Sequence, residues 1–203
     1  MYDKNHYGRV LVPMITPFMS DQRVDYDAAV SVAEKLIADG MADSIIVSGT
    51  TGEFFTMNFE ELVHLYKVLS EAVGKKIPLI AGTGAASTVE AIALSEKAQE
   101  LGYELIMVIV PYFTRPRQEE LIAHFTRVAE AVSVNILLYN IPIFVGATLE
   151  TPAVAELSRL DNIVGIKEEA ELNPKHFTEF INKTNDDFII YCGDDTMLIE
   201  SYA

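Results

Sequence analysis

Hydrophobic residues along this chain gather into seven short runs: Val10–Ile15, Ser44–Val47, Pro78–Ala81, Leu105–Val110, Asn135–Tyr139, Ile163–Lys167 and Phe188–Cys192. Most are continuously apolar rather than alternating, the pattern of parallel strands covered on both faces. The stretches between them read as amphipathic helices. Ala29, Val32, Ala33, Leu36 and Ile37 recur at helical spacing, as do Ile122, Phe125, Val128, Ala129 and Val132. Helix starts are marked chemically. Asn58 with Glu61, and Ser87 with Glu90, have the spacing at which cap and third-residue side chains satisfy each other's backbone donors. Thr151-Pro152 and Asn173-Pro174 set a capping residue before a proline at the first helical position. Gly40, Gly74 and Gly102 fall where helices should stop.

Seven strand–helix units at intervals of roughly 25–35 residues predict an α/β fold. Two architectures fit: a (β/α)8 TIM barrel and a doubly wound open sheet. A barrel takes about 250 residues, and this chain has 203. Counted as a barrel, residues 1–203 form a single domain, incomplete at the C-terminus and reading as a fragment truncated after strand seven.

Composition narrows the partners. Lys+Arg number 15 against 30 Asp+Glu, a formal charge of -15. That excludes nucleic acid as a natural partner, because phosphate binding depends on clustered basic residues. Cys192 is the only cysteine, so no disulfide forms within the chain and a reducing cytoplasmic location is expected. Met1–His6 is polar and lacks the apolar core of a signal peptide. No uncharged stretch approaches the roughly 20 residues a membrane helix needs, so no membrane association is expected.

In both architectures ligands bind at the carboxyl ends of the strands, and those ends carry distinctive residues. Ser48-Gly49-Thr50-Thr51-Gly52-Glu53 follows strand two, Gly82-Thr83-Gly84 strand three and Pro111-Tyr112-Phe113 strand four. Strand five ends in Tyr139-Asn140, strand six in Lys167-Glu168, strand seven in Cys192-Gly193-Asp194-Asp195. Lys167 stands at the mouth of a buried strand, where desolvation favours the neutral, nucleophilic amine. A lone lysine so placed more often packs its stem and keeps its head in water. Glycines flanking Thr50 and Thr51 let backbone N–H groups and hydroxyls converge on a small anion such as a carboxylate. The Tyr139 phenol could transfer protons. Asp194-Asp195 lacks the third carboxylate or histidine that a metal site needs, so no metal is expected. His6, His64, His124 and His176 fall on the N-terminal tail or on helices, away from strand ends. No Gly-x-Gly-x-x-Gly follows strand one, which argues against a nicotinamide cofactor.

As an ordered set, Gly49-Thr50-Thr51-Gly52-Glu53, Tyr139-Asn140-x-Pro142-x-x-x-Gly146 and Gly165-Ile166-Lys167-Glu168 resemble the dihydrodipicolinate synthase/N-acetylneuraminate lyase family. Ala81-Gly82-Thr83-Gly84 and Gly193-Asp194-Asp195 fit as well, and the likeness runs from about Gly8 to the last residue. The resemblance implies a (β/α)8 lyase of the class I aldolase type. Lys167 would attack the keto carbon of pyruvate and form an imine. Tyr139 would shuttle protons. Thr50 and Thr51, with Gly49, would hold the keto-acid carboxylate, the Thr50 hydroxyl touching Tyr139. Gly193 would lend its backbone carbonyl. A protonated imine is itself an electron sink, so neither metal nor organic cofactor is implied. Homo-oligomers, dimers or tetramers, are usual in the family.

Two positions depart from the synthase pattern. The second relay tyrosine is replaced by Phe113, and the arginine that binds the carboxylate of aspartate semialdehyde by Phe144, between Ile143 and Val145. Arg115-Pro116-x-Gln118-Glu119 nevertheless resembles the synthase branch. The best expectation is a 4-hydroxy-tetrahydrodipicolinate synthase-like condensation of pyruvate with aspartate semialdehyde. The alternative within the family is a 2-keto-3-deoxy sugar acid aldolase or N-acetylneuraminate lyase-like enzyme. Two rivals come from other classes. One is a non-catalytic keto-acid-binding regulatory protein, and the other an unrelated phosphate-binding barrel or flavodoxin-like domain.

Overall fold

The computed structural model describes residues 6–169 and 175–202. All seven predicted strands form, with ends shifted by at most two residues: β1 (Leu11–Pro13), β2 (Ser44–Val47), β3 (Leu79–Gly82), β4 (Leu105–Ile109), β5 (Asn135–Asn140), β6 (Ile163–Glu168) and β7 (Ile189–Cys192). Between and after them lie α1 (Tyr26–Ala38), α2 (Phe59–Val73), α3 (Thr88–Glu100), α4 (Gln118–Ala131), α5 (Pro142–Val145), α6 (Thr151–Leu157), α7 (Lys175–Lys183) and α8 (Leu198–Tyr202). Strand order in the sheet is the order in sequence, β1 through β7. A doubly wound sheet reverses its order at a switch point, whereas a barrel never does. The fold is therefore that of the (β/α)8 barrel, seven of whose strands are present.

The chain forms two compact units, one running up to Thr83 together with Leu94–Ile106, the other made of Gly84–Ala93 and the residues from Met107 on. In the first, β1, β2 and β3 pair in parallel. Ile45, Val47, Ile80 and Ala81 are wholly excluded from solvent, as the unbroken apolar runs required. α1 sets Ala29 and Ala33 into the core while Val32, Leu36 and Ile37 are half-buried. α2 opens on the predicted capping box. The Glu61 N–H donates to Asn58 Oδ1 and the Asn58 N–H donates to Glu61 Oε2, both at 2.9 Å. Gly40 and Gly102 adopt left-handed backbone after their helices, but Gly74 caps α2 in a right-handed conformation.

In the second unit β5, β6 and β7 pair in parallel, with α6 packed against both α4 and α7. The buried face of α4 is Leu121, His124, Phe125, Val128 and Ala129. Ile122, expected there, is half-buried, so the apolar stripe begins one residue earlier. At α3 the Glu90 N–H donates to Ser87 Oγ at 3.2 Å, the Ser87 half of the expected capping box. Thr151 does not cap α6. Glu150 occupies that position, and the Thr151 hydroxyl donates to Glu179 of α7 at 2.7 Å. The expected cap at Asn173-Pro174 lies outside the described residues.

Candidate active site

The threonine turn belongs to the first unit. β2 ends at Val47, and Ser48 takes left-handed backbone with φ 54°, a conformation few non-glycine residues adopt. The chain then enters a single 3-10 turn over Thr50–Gly52 and leaves through Glu53, again left-handed at φ 53°. The bend is pinned from below. The Ser48 hydroxyl donates to the Gly82 carbonyl at 3.0 Å and the Tyr66 phenol donates to the same oxygen at 2.6 Å. Burial raises the Tyr66 pKa, which keeps the phenol a donor. On the other side the Thr16 hydroxyl donates to the Gly52 carbonyl at 2.7 Å. With its backbone so fixed, the turn presents Thr50 half-buried and Thr51 exposed.

The lysine belongs to the second unit, and a local irregularity orients it. Ile136 pairs with Ile163, but Leu137 pairs with Gly165. One extra residue, Val164, is thereby inserted in β6, a bulge that changes the parity of everything after it. Beyond it Tyr139 pairs with Lys167 and Asn140 with Glu168. Paired residues share a face of a sheet, so Tyr139 and Lys167 emerge together on one side. Without the bulge Tyr139 would face Ile166, and Lys167 would lie on the side of Asn140. Gly165 permits the tight spot, because a Cβ there would sit 2.4 Å from the Ile189 carbonyl oxygen.

On the shared face Lys167 Nζ lies 4.1 Å from the centroid of the Tyr139 ring, within cation–π distance. Its charge is not left in apolar surroundings, as expected from sequence, but met by Glu169, whose Oε2 is 3.0 Å away. The same oxygen accepts a 2.6 Å hydrogen bond from the Tyr139 phenol. Both partners are largely enclosed, with side-chain exposures of 13% for Lys167 and 22% for Glu169. Gly193 completes the pocket at the end of β7. A Cβ there would meet Lys167 Cε at 2.7 Å and Glu169 Oε2 at 2.9 Å, so only glycine leaves the pair undisturbed. The Gly193 N–H donates to the Glu168 carbonyl at 2.8 Å, tying β7 to the strand that carries the lysine.

The opposite face supplies rigidity. Glu168 and Asn140 are essentially inaccessible. Asn140 Nδ2 donates to Glu168 Oε2 at 2.9 Å, and Asn140 Oδ1 accepts from the Leu149 N–H at 2.9 Å. His176 Nδ1 stands 3.5 Å from Glu168 Oε1, at the outer limit of a hydrogen bond. A buried carboxylate is tolerated when its oxygens are met in this way.

The structure thus brings Lys167, Tyr139 and Gly193 together, and it adds Glu169, which the motif reading stopped one residue short of. The Gly49–Thr51 segment lies in the first unit, where Thr50–Gly52 form a 3-10 turn after β2. Among the described residues no three His, Cys, Asp or Glu side chains converge as metal ligands. Among them also, no helix is long and apolar enough to cross a membrane.

The chain is 40% identical over 192 residues to the 4-hydroxy-tetrahydrodipicolinate synthase 1 of Halalkalibacterium halodurans, covering 95% of this chain and 64% of that protein. It therefore spans just under two thirds of that relative's length. A crystal structure of dihydrodipicolinate synthase from Bacillus anthracis superposes with a TM-score of 0.93 at 37% identity, over 100% of this chain and 68% of that one. The chloride-inhibited dihydrodipicolinate synthase of Acinetobacter baumannii, solved with pyruvate, gives 0.90 at 36% identity over 96% and 66%. The sequence model of the dihydrodipicolinate synthetase family matches residues 6–203. With barrel strand order, relatives at this identity and a family match over nearly every residue, the chain belongs to the dihydrodipicolinate synthetase family.

Proposed function

We propose that this protein is a lyase of the class I aldolase type, which binds pyruvate as an imine on Lys167 and joins the resulting enamine to an aldehyde. Aspartate semialdehyde is the first reading of the aldehyde, as in the 4-hydroxy-tetrahydrodipicolinate synthases it resembles. The observation that carries the proposal is the β6 bulge, which turns an amine and a phenol onto one enclosed face, 4.1 Å from ammonium to ring. An amine needs a partner that moves protons if it is to add to a carbonyl and expel water, and Tyr139 is within reach. The pyruvate held by the Acinetobacter relative supports the keto acid. On the resemblance, Thr50 and Thr51, with Gly49, take the carboxylate, Thr50 joins the proton path, and Gly193 offers its carbonyl to the substrate. The imine carries the electrons, so the proposal requires no cofactor.

The same proposal takes residues 1–203 as part of a single barrel domain that works in the cytoplasm as a dimer or tetramer. Phe113 is 98% exposed, and so large a bare aromatic favours self-association. A lone cysteine suits a reducing compartment.

A second reading keeps the imine and changes the aldehyde. Ile143 and Phe144 are 65% and 68% exposed on α5 and offer no cation to a carboxylate-bearing aldehyde, which favours a sugar-derived one. The test is intact-mass analysis after incubation with pyruvate and borohydride, followed by peptide mapping. A reduced pyruvyl adduct on Lys167, absent from Lys167→Ala, is expected, and a screen of aldehydes then separates the two readings. Adduct without turnover of any aldehyde would indicate a keto-acid-binding regulator, and no adduct at saturating pyruvate would overturn the proposal.

A further inference from the structure

We propose that Glu169 is a catalytic base of this site, taking the proton Lys167 must lose before it can attack a keto carbon and passing it on through the Tyr139 phenol. The inference rests on the imine reading above and adds a group to it. An ammonium has no lone pair, and forming an imine moves several protons in turn. A residue that serves this traffic must touch both the nitrogen and the phenol. Glu169 does so through one atom, its Oε2 lying 3.0 Å from Lys167 Nζ and 2.6 Å from the Tyr139 hydroxyl oxygen.

Its placement is built. The Glu169 N–H donates to the Asn140 carbonyl at 2.9 Å, so the residue leaves β6 still fastened to the end of β5. Gly193 leaves the space its carboxylate occupies, since a Cβ there would approach Glu169 Oε2 to 2.9 Å. Its neighbour Glu168 cannot substitute. That carboxylate is on the opposite face, buried and engaged by Asn140. The pair also differs from the surface ion pairs of the chain. Lys76–Glu34 and Lys97–Glu100 have side chains between 44% and 60% exposed, against 13% and 22% here.

The electrostatics suit an anionic substrate. Proton transfer within the pair turns ammonium and carboxylate into amine and carboxylic acid, both neutral, so the pyruvate carboxylate meets no negative charge at the moment of attack. The nitrogen lone pair forms the C–N bond, and the carbonyl π pair moves to oxygen. That oxygen takes the Tyr139 proton, and the phenolate is reprotonated by Glu169. Glu169 then removes a second proton from nitrogen. The nitrogen lone pair expels the hydroxyl, which leaves as water with a proton from Tyr139, replaced again from Glu169. The sum is one ammonium and one ketone giving one protonated imine and one water, with Glu169 and Tyr139 returned to their starting states.

The test is the rate of imine formation at saturating pyruvate, followed by borohydride quench and intact mass, in wild type, Glu169→Gln and Glu169→Ala. Gln keeps an oxygen for the Tyr139 hydroxyl and cannot accept a proton. It is expected to slow imine formation about a hundredfold, the lower range for general acid–base catalysis, with the pyruvate concentration for half-saturation unchanged. Added formate is expected to accelerate Glu169→Ala, where it can fill the vacated space, and not Glu169→Gln. Should Glu169→Gln fail to give a native melting transition, Glu169→Ala with and without formate decides alone. Adduct formation by Glu169→Gln at the wild-type rate, or a loss that appears wholly as weaker pyruvate binding, would overturn the role of Glu169 and leave the imine standing. No adduct in wild type would overturn both.

Discussion

His124 shows how much one side chain can determine. It sits on the buried face of α4 at 4% exposure, with Nδ1 hydrogen-bonded to the Thr88 hydroxyl at 2.9 Å and Nε2 unpartnered. Burial pushes its pKa down to about 4, because an imidazolium there would lose its hydration. The folded state therefore prefers neutral histidine, while the unfolded chain protonates near pH 6.5. Between those values the unfolded state binds more protons, so this residue's contribution is fully present above about pH 6.5 and is lost as pH falls toward 4. From pH 7 to pH 5 the loss is about 2 kcal/mol. Urea unfolding of wild type and His124→Leu at both pH values should show the variant's decline smaller by that amount. Equal declines would mean that the imidazole reaches water. At this scale the sequence disclosed Lys167 and Tyr139 because each ends an apolar run abruptly. It concealed Glu169, whose place in the run Lys167-Glu168-Glu169 reads as solvated charge. Yet strand alternation sets residues two apart on one face, and the Glu169 N–H, bonded to the Asn140 carbonyl at 2.9 Å, keeps the residue on that line beside the lysine.

Among elements, strands were the most legible, since buried runs are local, and capping chemistry located some helix starts though not that of α6. The Asn58–Glu61 box is the clearest instance, with both reciprocal bonds at 2.9 Å. Asn58→Ala leaves the Glu61 N–H without its acceptor at the start of α2, whose Leu62, Leu65 and Tyr66 face the core. The expected cost is about 1 kcal/mol, or roughly 2–4 °C in a chain of this size. Calorimetric melting of wild type and Asn58→Ala checks it, and an unchanged midpoint would show that water replaces the cap without penalty. The β6 bulge was not legible. Val164 looks like any other strand residue, and Gly165 permits a close approach without announcing one. Yet the bulge decides that Lys167 faces Tyr139 rather than sharing the side of Asn140. Register is a property of two strands, and no single-strand pattern contains it.

For the molecule as a whole the dominant quantity is a formal charge of -15, from 30 acidic and 15 basic side chains. Two electrostatic effects then oppose one another when salt is added. Exposed ion pairs such as Lys76–Glu34 at 3.0 Å and Lys97–Glu100 at 2.6 Å favour the fold by about 0.2–1 kcal/mol each. Repulsion among the surplus carboxylates favours unfolding, because the compact state holds like charges closer together. Their reach decides the outcome. The screening length falls from about 30 Å at 0.01 M salt to about 8 Å at 0.15 M. Contacts near 3 Å lie well inside both lengths, whereas repulsion across the molecule lies inside the first and outside the second. Salt therefore removes most of the repulsion and little of the attraction. The midpoint of thermal unfolding at pH 7 should rise between 0.01 M and 0.15 M sodium chloride. Substituting potassium for sodium should leave the rise unchanged, since screening depends on ionic strength and not on a bound ion. A midpoint that falls would mean that the ion pairs contribute more to this fold than its excess of negative charge costs it.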